Sequence, residues 1–295
     1  MKGSRLHLDL FKVFYDLAQT KNFSKTAAQN YLTQSAVSQQ MTFLERRLGK
    51  RLIERGRGKF ALTEAGEAFL EACQKILEAY QEAVHKIQSP GEMAGTVRIE
   101  TIYSIGLYEL ASHTKTFMQQ YPQVDLHIEY RRSDRIHTDI LHNACDLGVV
   151  AYPSQNPLIL ATPFKKEKLV VVCSPEDPLA SHKRIRFADL QKKNFIAFDM
   201  VVPTRRAIDK ILNRRRVFVN IVHEFDNIET IKRSVEVGAG VSILPENTVV
   251  QEVGSRALVS IPFSEGTFYR PLAIIRRRAR RLSRTAQEFV RWLTK

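Results

Sequence analysis

Phe23-Ser24-Lys25-Thr26-Ala27-Ala28-Gln29-Asn30-Tyr31-Leu32-Thr33-Gln34-Ser35-Ala36-Val37-Ser38-Gln39-Gln40-Met41-Thr42-Phe43-Leu44-Glu45-Arg46-Arg47-Leu48-Gly49 holds two helix-length segments around a three-residue turn. The first runs from Lys25 to Tyr31, with Ser24 as the expected N-cap and Ala27-Ala28 facing inward. Leu32-Thr33-Gln34 is the turn, and a longer helix runs from about Ser35 to Leu48. Its Val37, Met41, Leu44 and Leu48 recur on one face, and Gly49 supplies a left-handed stop. Two short helices about a tight turn form a helix-turn-helix.

On the N-terminal side, Leu8, Phe11, Val13-Phe14 and Leu17-Ala18 follow a helical period and describe one buried face. On the C-terminal side, Arg51-Leu52-Ile53-Glu54-Arg55-Gly56-Arg57-Gly58-Lys59-Phe60-Ala61-Leu62 reads as a β-hairpin with a basic tip, a wing. Thr63 then caps a long helix that ends at Ser89-Pro90-Gly91. Along it Phe69, Ala72, Ile76, Tyr80 and Ala83 fall at three- and four-residue steps. An apolar stripe on a helix between domains needs something to bury it, so these residues are read as a dimerisation face; packing back on the helix's own domain is the alternative.

From Gly95 onward, strands alternate with helices, which predicts α/β architecture with parallel sheets. The expected organisation is a winged helix-turn-helix over 1–63, a linker helix over 64–90 and an α/β domain over 94–295. Subdomain I of that domain takes about 94–163 and 267–295, and subdomain II about 164–266.

Charge placement supports this division. The 295-residue chain has a net charge of +14, unevenly spread. Residues 1–62 carry 12 Lys/Arg and 4 Asp/Glu, residues 270–295 carry 9 and 1, and the long middle is nearly neutral. A basic head on a near-neutral body suggests phosphate binding at the head. The arginine-rich tail Arg276–Arg284 and the Arg214-Arg215-Arg216 run read as solvated edges, with DNA or a partner surface as the alternative. Three widely spaced cysteines, Cys73, Cys145 and Cys173, form neither a disulfide framework nor a zinc module. With no apolar run of membrane-spanning length and no signal-peptide core, a cytoplasmic location without membrane contact is expected.

The long helix of the motif suits a major groove, with Gln34, Ser35, Ser38, Gln39 and Thr42 turned outward. Glutamine can pair bidentately with adenine, and serine can reach a base or a phosphate. Lys25, Arg51, Arg55, Arg57 and Lys59 suit phosphate or minor-groove contacts. In the α/β half, ligands belong at strand carboxyl ends and helix N-termini. That points to Thr101, Tyr103 and Ser104 after the first strand, and to Thr204 and Arg205 across a cleft. Asp199 beside them would repel an anion, which leaves a zwitterion or a polar neutral ligand open.

The segment from Phe23 to Gly66 closely resembles the LysR-type transcriptional regulators. The resemblance lies in Ala27-Ala28, Gln34-Ser35-Ala36-Val37-Ser38, Leu44-Glu45, Leu48-Gly49, Leu52, Arg55 and Leu62-Thr63-Glu64-Ala65-Gly66, and in the spacing between them. It continues in Gly95-Thr96-Val97-Arg98-Ile99 and in Val237-Gly238-Ala239-Gly240-Val241-Ser242-Ile243-Leu244-Pro245. The resemblance implies a periplasmic-binding-protein-like C-terminal domain of two subdomains with an effector between them. It also implies base contacts at Gln34, Ser35, Ser38 and Gln39, a pocket position at Thr101 and Ser104, a dimer of dimers on double-stranded DNA, and contact with RNA polymerase. No cofactor or metal is expected.

Three rival readings compete. An enzyme with a DNA-binding appendage would need a catalytic motif, and no G-x-S-x-G, P-loop, HExxH or dinucleotide fingerprint occurs. An architectural DNA binder would not need an α/β cleft of some two hundred residues. A transport component would carry a signal peptide.

Overall fold

A computed structural model of the protein describes residues 7–54, 60–88 and 93–295, and the chain divides into two compact units, 1–95 and 96–295. In the first unit, α1 (Leu8–Thr20), α2 (Phe23–Gln29) and α3 (Gln34–Leu48) surround a core of Leu10, Val13, Phe14, Leu17, Ala27, Val37, Met41 and Leu44. α2 is capped by Asn22, whose side chain accepts the Lys25 N–H at 3.0 Å; Ser24, expected to cap it, already lies inside the helix. Of the Ala27-Ala28 pair only Ala27 is buried, with Thr26 beside it. α3 starts one residue earlier than expected because Thr33 accepts the Ala36 N–H at 3.1 Å. Gly49 ends it with φ +66°. Leu48 is exposed rather than inward, since the core stops one turn earlier at Leu44.

The base of the wing is an antiparallel bridge between Ile53 and Leu62, with the Glu54 N–H donating to the Ala61 carbonyl at 2.9 Å. The Glu45 carboxylate accepts the N–H groups of Leu52 (2.8 Å) and Ile53 (3.1 Å), which pins the wing to α3. The tip residues Arg55, Arg57 and Lys59 lie outside the described residues.

α4 (Glu64–Gln88) begins at Thr63, whose hydroxyl accepts the Gly66 N–H at 3.0 Å. A Cβ on Gly66 would stand 2.1 Å from the Leu52 carbonyl oxygen, so only glycine lets α4 cross the wing this closely. Phe69 packs on Phe11 and Phe14, with ring centroids 5.7 and 5.2 Å apart, and Cys73 is fully buried. Phe69 therefore belongs to the core of its own domain and not to a partner-facing stripe. The later part of the stripe differs: Ile76, Tyr80, Ala83 and Ile87 are exposed, and Ala72 is half-buried.

The second unit is built on a seven-stranded mixed sheet. β1 (Gly95–Thr101), β2 (Val124–Tyr130) and β3 (Leu147–Ala151) form one side. β4 (Ile159–Cys173), β7 (Ser242–Pro245) and β8 (Val259–Ile261) form the other, with β9 (Phe268–Arg277) between β3 and β4. β5 (Asn194–Phe198) and β6 (Asn220–Phe225) make a separate parallel pair. The expected parallel pairing holds for β1–β3 and β5–β6; β4 pairs antiparallel with β7, β8 and β9, and β3 with β9.

The long antiparallel ladder of β4 and β9 runs through both lobes, so the division expected at residue 163/164 falls inside a continuous strand. One apolar core, including Ile136, Ile140, Val150 and Ile275, lies in the lobe of β1 and β3. The other, including Val170, Phe195, Ile231 and Leu244, lies in the lobe of β5 and β7.

Helical turns lead off the strand ends. Tyr103–Ile105 (α5) follows β1 and continues through a π turn, Gly106–Leu110, into α6 (Ala111–Gln120). α7 (Ser133–Leu141) follows β2, α8 (Pro203–Arg214) follows β5, and α9 (Ile228–Glu236) follows β6. α10 (Val250–Gly254) and the C-terminal α11 (Arg284–Leu293) complete the domain. Part of the arginine-rich tail is structural: half-buried Arg280 forms an ion pair with buried Asp146, and Arg278 donates to the Pro157 carbonyl at 2.9 Å. Arg215 lies over the Phe187 and Phe268 rings, 4.4 and 4.8 Å from their centroids. No helix among the described residues is long and apolar enough to cross a membrane.

Candidate DNA-reading face and effector cleft

On α3, Gln34, Ser35, Ser38, Gln39 and Thr42 are all exposed, while Val37, Met41 and Leu44 hold the opposite face in the core. Ser38, Gln39 and Thr42 share a shallow hollow with Phe43 and Arg46. Sequence reasoning passed over Arg46, although it lies one helical turn beyond Thr42 on the same face. The Thr42 hydroxyl donates to the Ser38 carbonyl at 3.0 Å, so its methyl and lone pairs are what it can offer outward. Lys25 and Arg51 are exposed on the same unit.

In the second unit, one cavity of about 320 Å³ opens where the two lobes meet. Tyr103 and Ser104 line it from α5, Arg131, Arg132 and Arg135 from the start of α7, and Pro203 and Thr204 from the start of α8. Asn227 and Ile228 close it at the start of α9. Tyr103 stacks on Tyr130 with centroids 4.9 Å apart, which gives the cavity an aromatic wall. Gly106 makes room for that wall, since a Cβ there would come within 2.3 Å of the Tyr130 ring.

At the floor lies Arg270, which sequence reasoning missed. It is 1% exposed, donates from Nε to Glu167 Oε2 at 2.5 Å, and reaches the Ser104 hydroxyl at 3.2 Å. A lone arginine in mid-strand carries no motif, and only the pairing of β9 with β4 brings it to Glu167.

The expected pocket residues separate into two groups. Tyr103, Ser104 and Thr204 line the cavity. Thr101 does not: it is fully buried and its hydroxyl donates to the Val149 carbonyl at 3.1 Å. Arg205 is also turned away. It is buried, held by Asp209 (2.8 Å), Glu224 and the Phe198 carbonyl (2.7 Å), because residue 205 sits on the core face of α8. Asp199, expected to repel an anion, is absent from the lining and instead accepts the Val201 N–H at 2.9 Å.

Helix ends shape the electrostatics of the cavity. α5, α7 and α8 begin at Ile102, Arg132 and Val202 with no side-chain acceptor on their first N–H groups. α8 adds little to this, because Pro203 carries no N–H and the Arg205 N–H donates to the Val202 carbonyl at 3.0 Å. The starts of α5 and α7 and four arginines, Arg131, Arg132, Arg135 and Arg270, line the cavity with two carboxylates, Asp134 and Asp226. Asp134 is paired with Arg132 at 3.3 Å.

The three cysteines offer little nucleophilicity: all are buried, and burial pushes the thiols of Cys73 and Cys173 up to about 12. The Glu100 carboxyl, on β1, is raised to about 7 by burial and by the neighbouring Asp139.

Two family models match this chain. Residues 8–67 match the model described as bacterial regulatory helix-turn-helix protein, lysR family, and residues 90–295 match the LysR substrate binding domain. The chain belongs to the LysR family of transcriptional regulators. Among curated relatives, the HTH-type transcriptional activator CmpR of Synechocystis is 31% identical over 99% of this chain and 96% of its own length. A probable RuBisCO transcriptional regulator of Cyanidioschyzon merolae is 28% identical over 83% of this chain and 84% of its own. Full-length OxyR from Pseudomonas aeruginosa has the same fold, with a TM-score of 0.74 at 24% identity over 99% of this chain and 94% of that one. The Synechocystis CcmR regulatory domain, solved in complex with 2-PG, has a TM-score of 0.63 at 25% identity, covering 68% of this chain and 96% of that one. This LysR-type regulator thus pairs a helix-turn-helix DNA-binding domain with an effector-binding domain, and its relatives are named as regulators and not as enzymes.

Proposed function

We propose that the effector of this regulator is a compact anion held in the 320 Å³ cavity, and that its binding alters the grip on promoter DNA. The observation that carries the reading is the convergence of four arginines and the uncapped starts of α5 and α7 on one cavity. Unpaired N–H groups at a helix N-terminus carry partial positive charge and favour an anion. Tyr103, Ser104, Thr204, Arg131 and Arg270 are the residues assigned to it.

On the DNA side, Gln34, Ser35, Ser38, Gln39 and Thr42 are assigned to base edges, with Arg46 beside them. Lys25, Arg51, Arg55, Arg57 and Lys59 are assigned to the phosphate backbone and minor groove. Ile76, Tyr80 and Ala83, with Ala72 at the edge, are assigned to a dimer, and two dimers to a tetramer that presents itself to RNA polymerase in the cytoplasm. Exposed Ile76 and Tyr80 on the far part of α4 support that face.

The test is calorimetry on the full-length protein with small phosphorylated and carboxylated acids, against neutral sugars of similar size. Because the CcmR domain was solved with 2-PG, 2-PG is the first acid to try. Binding of at least one acid with no binding of the neutral set is expected. Preference for a neutral compound overturns the anion assignment.

A further inference from the structure

The floor of the cleft is part of a closed ring of polar contacts that leaves the cavity and returns to it. Arg270 and Glu167 stand directly opposite each other on β9 and β4, so the strand register itself brings them together. The other Glu167 oxygen accepts the Asn247 side-chain amide at 2.9 Å. The same amide nitrogen donates to Glu109 at 2.6 Å, and the second Glu109 oxygen accepts Lys165 at 2.7 Å. Glu109 sits in the π turn that follows Ser104, and Ser104 is the hydroxyl that Arg270 touches. The ring therefore passes Ser104, Arg270, Glu167, Asn247 and Glu109.

Its charges are finely balanced. Glu109 and Glu167 are both buried and share a single amide nitrogen, and each has one cation of its own, Lys165 and Arg270. The carbonyl oxygen of Asn247 is buried without a hydrogen-bond partner among the described residues, so the side chain is hydrogen-bonded through its amide nitrogen. Asn247 lies in the turn just after β7 and packs with the lobe of β5 and β7, while Glu109 belongs to the helix leaving β1. The adjacent Tyr108 makes a second tie between the lobes: its hydroxyl donates to Glu229 at 2.5 Å and accepts from Lys232 at 2.5 Å, both on α9. Burial works against the Lys232 charge, but hydrogen bonds to Glu252, Tyr108 and Glu229 hold its pKa above the ordinary value. An extra residue in a helical turn is a feature found often at functional sites, and here it places both Tyr108 and Glu109 across the lobe boundary.

We propose that the effector anion competes with Glu167 for Arg270, and that Asn247 passes the change to Glu109, making Glu167 and Asn247 the positioning residues that couple the cleft to movement between the lobes. The inference rests on the reading that an anion fills the cleft. When Arg270 turns its charge to the effector, Glu167 is left beside Glu109 with only an amide between them. Glu167 then stands uncompensated beside a Glu109 that keeps Lys165, and a buried carboxylate without its cation repels its neighbour, so the Asn247 bridge is the contact that yields. The lobe carrying β7 is then released from the π turn.

The experiment uses full-length protein, 2-PG and inorganic phosphate as probes, calorimetry for binding, and promoter-DNA affinity with and without probe for the response. Glu167→Gln removes the competing charge, so probe binding is expected to tighten about tenfold while the DNA response disappears. Asn247→Ala leaves no charge unpaired, so binding should change less than about twofold, and the DNA response should still be lost. A gain in affinity with loss of response is not what a misfolded variant gives. Unchanged or weaker binding by Glu167→Gln overturns the competition, and a full response in Asn247→Ala overturns the relay. If wild-type protein binds neither probe while it does bind a neutral compound, the anion reading of the cleft fails, and this inference falls with it.

Discussion

In the DNA-binding unit, α2, α3 and α4 begin at Asn22, Thr33 and Thr63, and each of those side chains accepts a backbone N–H of its own helix. Around the cleft, α5, α7 and α8 begin at Ile102, Arg132 and Val202, which accept none; α9, capped by Asn227, and the uncapped α1 of the DNA-binding unit are the exceptions. The same backbone need is met in two ways. A capped start closes the helix onto itself and makes it a rigid part. An uncapped start leaves N–H groups available to something from outside the chain. The first suits an element that must hold its shape against DNA, the second an element whose partner comes and goes.

The largest test of this contrast is at the cleft floor. Arg270→Met leaves Glu167 buried without its cation, and breaking such a pair costs about 3–5 kcal/mol. Thermal unfolding of the full chain should show a large fall in the transition of the effector-binding domain, with the DNA-binding transition unmoved. Next is Gly66→Ala, which forces a methyl against the Leu52 carbonyl and should cost about 1–3 kcal/mol, this time in the DNA-binding unit. Retention of wild-type melting by this variant would mean that α4 can shift off the wing freely.

Glu100 gives a pH-dependent version of the comparison. Its carboxyl is raised to about 7, above the unfolded value, so the stability it allows is fully present below the unfolded pKa and is lost as pH rises through about 7. Glu100→Gln should remove that loss, raising the melting temperature at pH 8 and leaving it nearly unchanged at pH 4. An equal gain at both pH values would point to packing instead of charge.

Thr33→Ala removes a cap worth about 1 kcal/mol and should weaken binding to specific and random DNA alike, because it loosens α3 without touching a base-reading side chain. A selective loss on the specific site would place Thr33 in base readout. The smallest effect is at Arg132, the uncapped start of α7. Arg132→Asn supplies a cap and removes a cation, so stability should rise by about 0.5 kcal/mol while anion affinity falls. Arg132→Ala, which lacks the cap, separates the two contributions.

Much of the DNA-binding unit was legible in the residues. Gly49, Thr63, the Val37–Met41–Leu44 spacing and the wing all depend on neighbours within a few residues, and local propensity and capping act over that range. The misreadings there were of two residues or one turn: Asn22 for Ser24, and an exposed Leu48. Phe69 was misassigned for a different reason. An apolar stripe records that a face is buried but not by what, and α1 covers its first half.

The cleft was legible only in part. Tyr103, Ser104 and Thr204 follow strand ends, which is a topological rule, and all three line the cavity. Arg205 and Thr101 obey the same rule and yet face the core, because helix phase and strand pleat decide which way a side chain points.

The sequence alone determined the helix-turn-helix, its wing, its outward polar face and the two-lobed α/β domain behind it, since these follow from periodicity, capping and a dense local motif. Only the tertiary structure decided that Arg270 meets Glu167, that Asn247 joins Glu167 to Glu109, and that the uncapped starts of α5 and α7 share one cavity. Those contacts join residues up to 138 positions apart, and their partners are set by strand register and lobe packing, which no local pattern encodes.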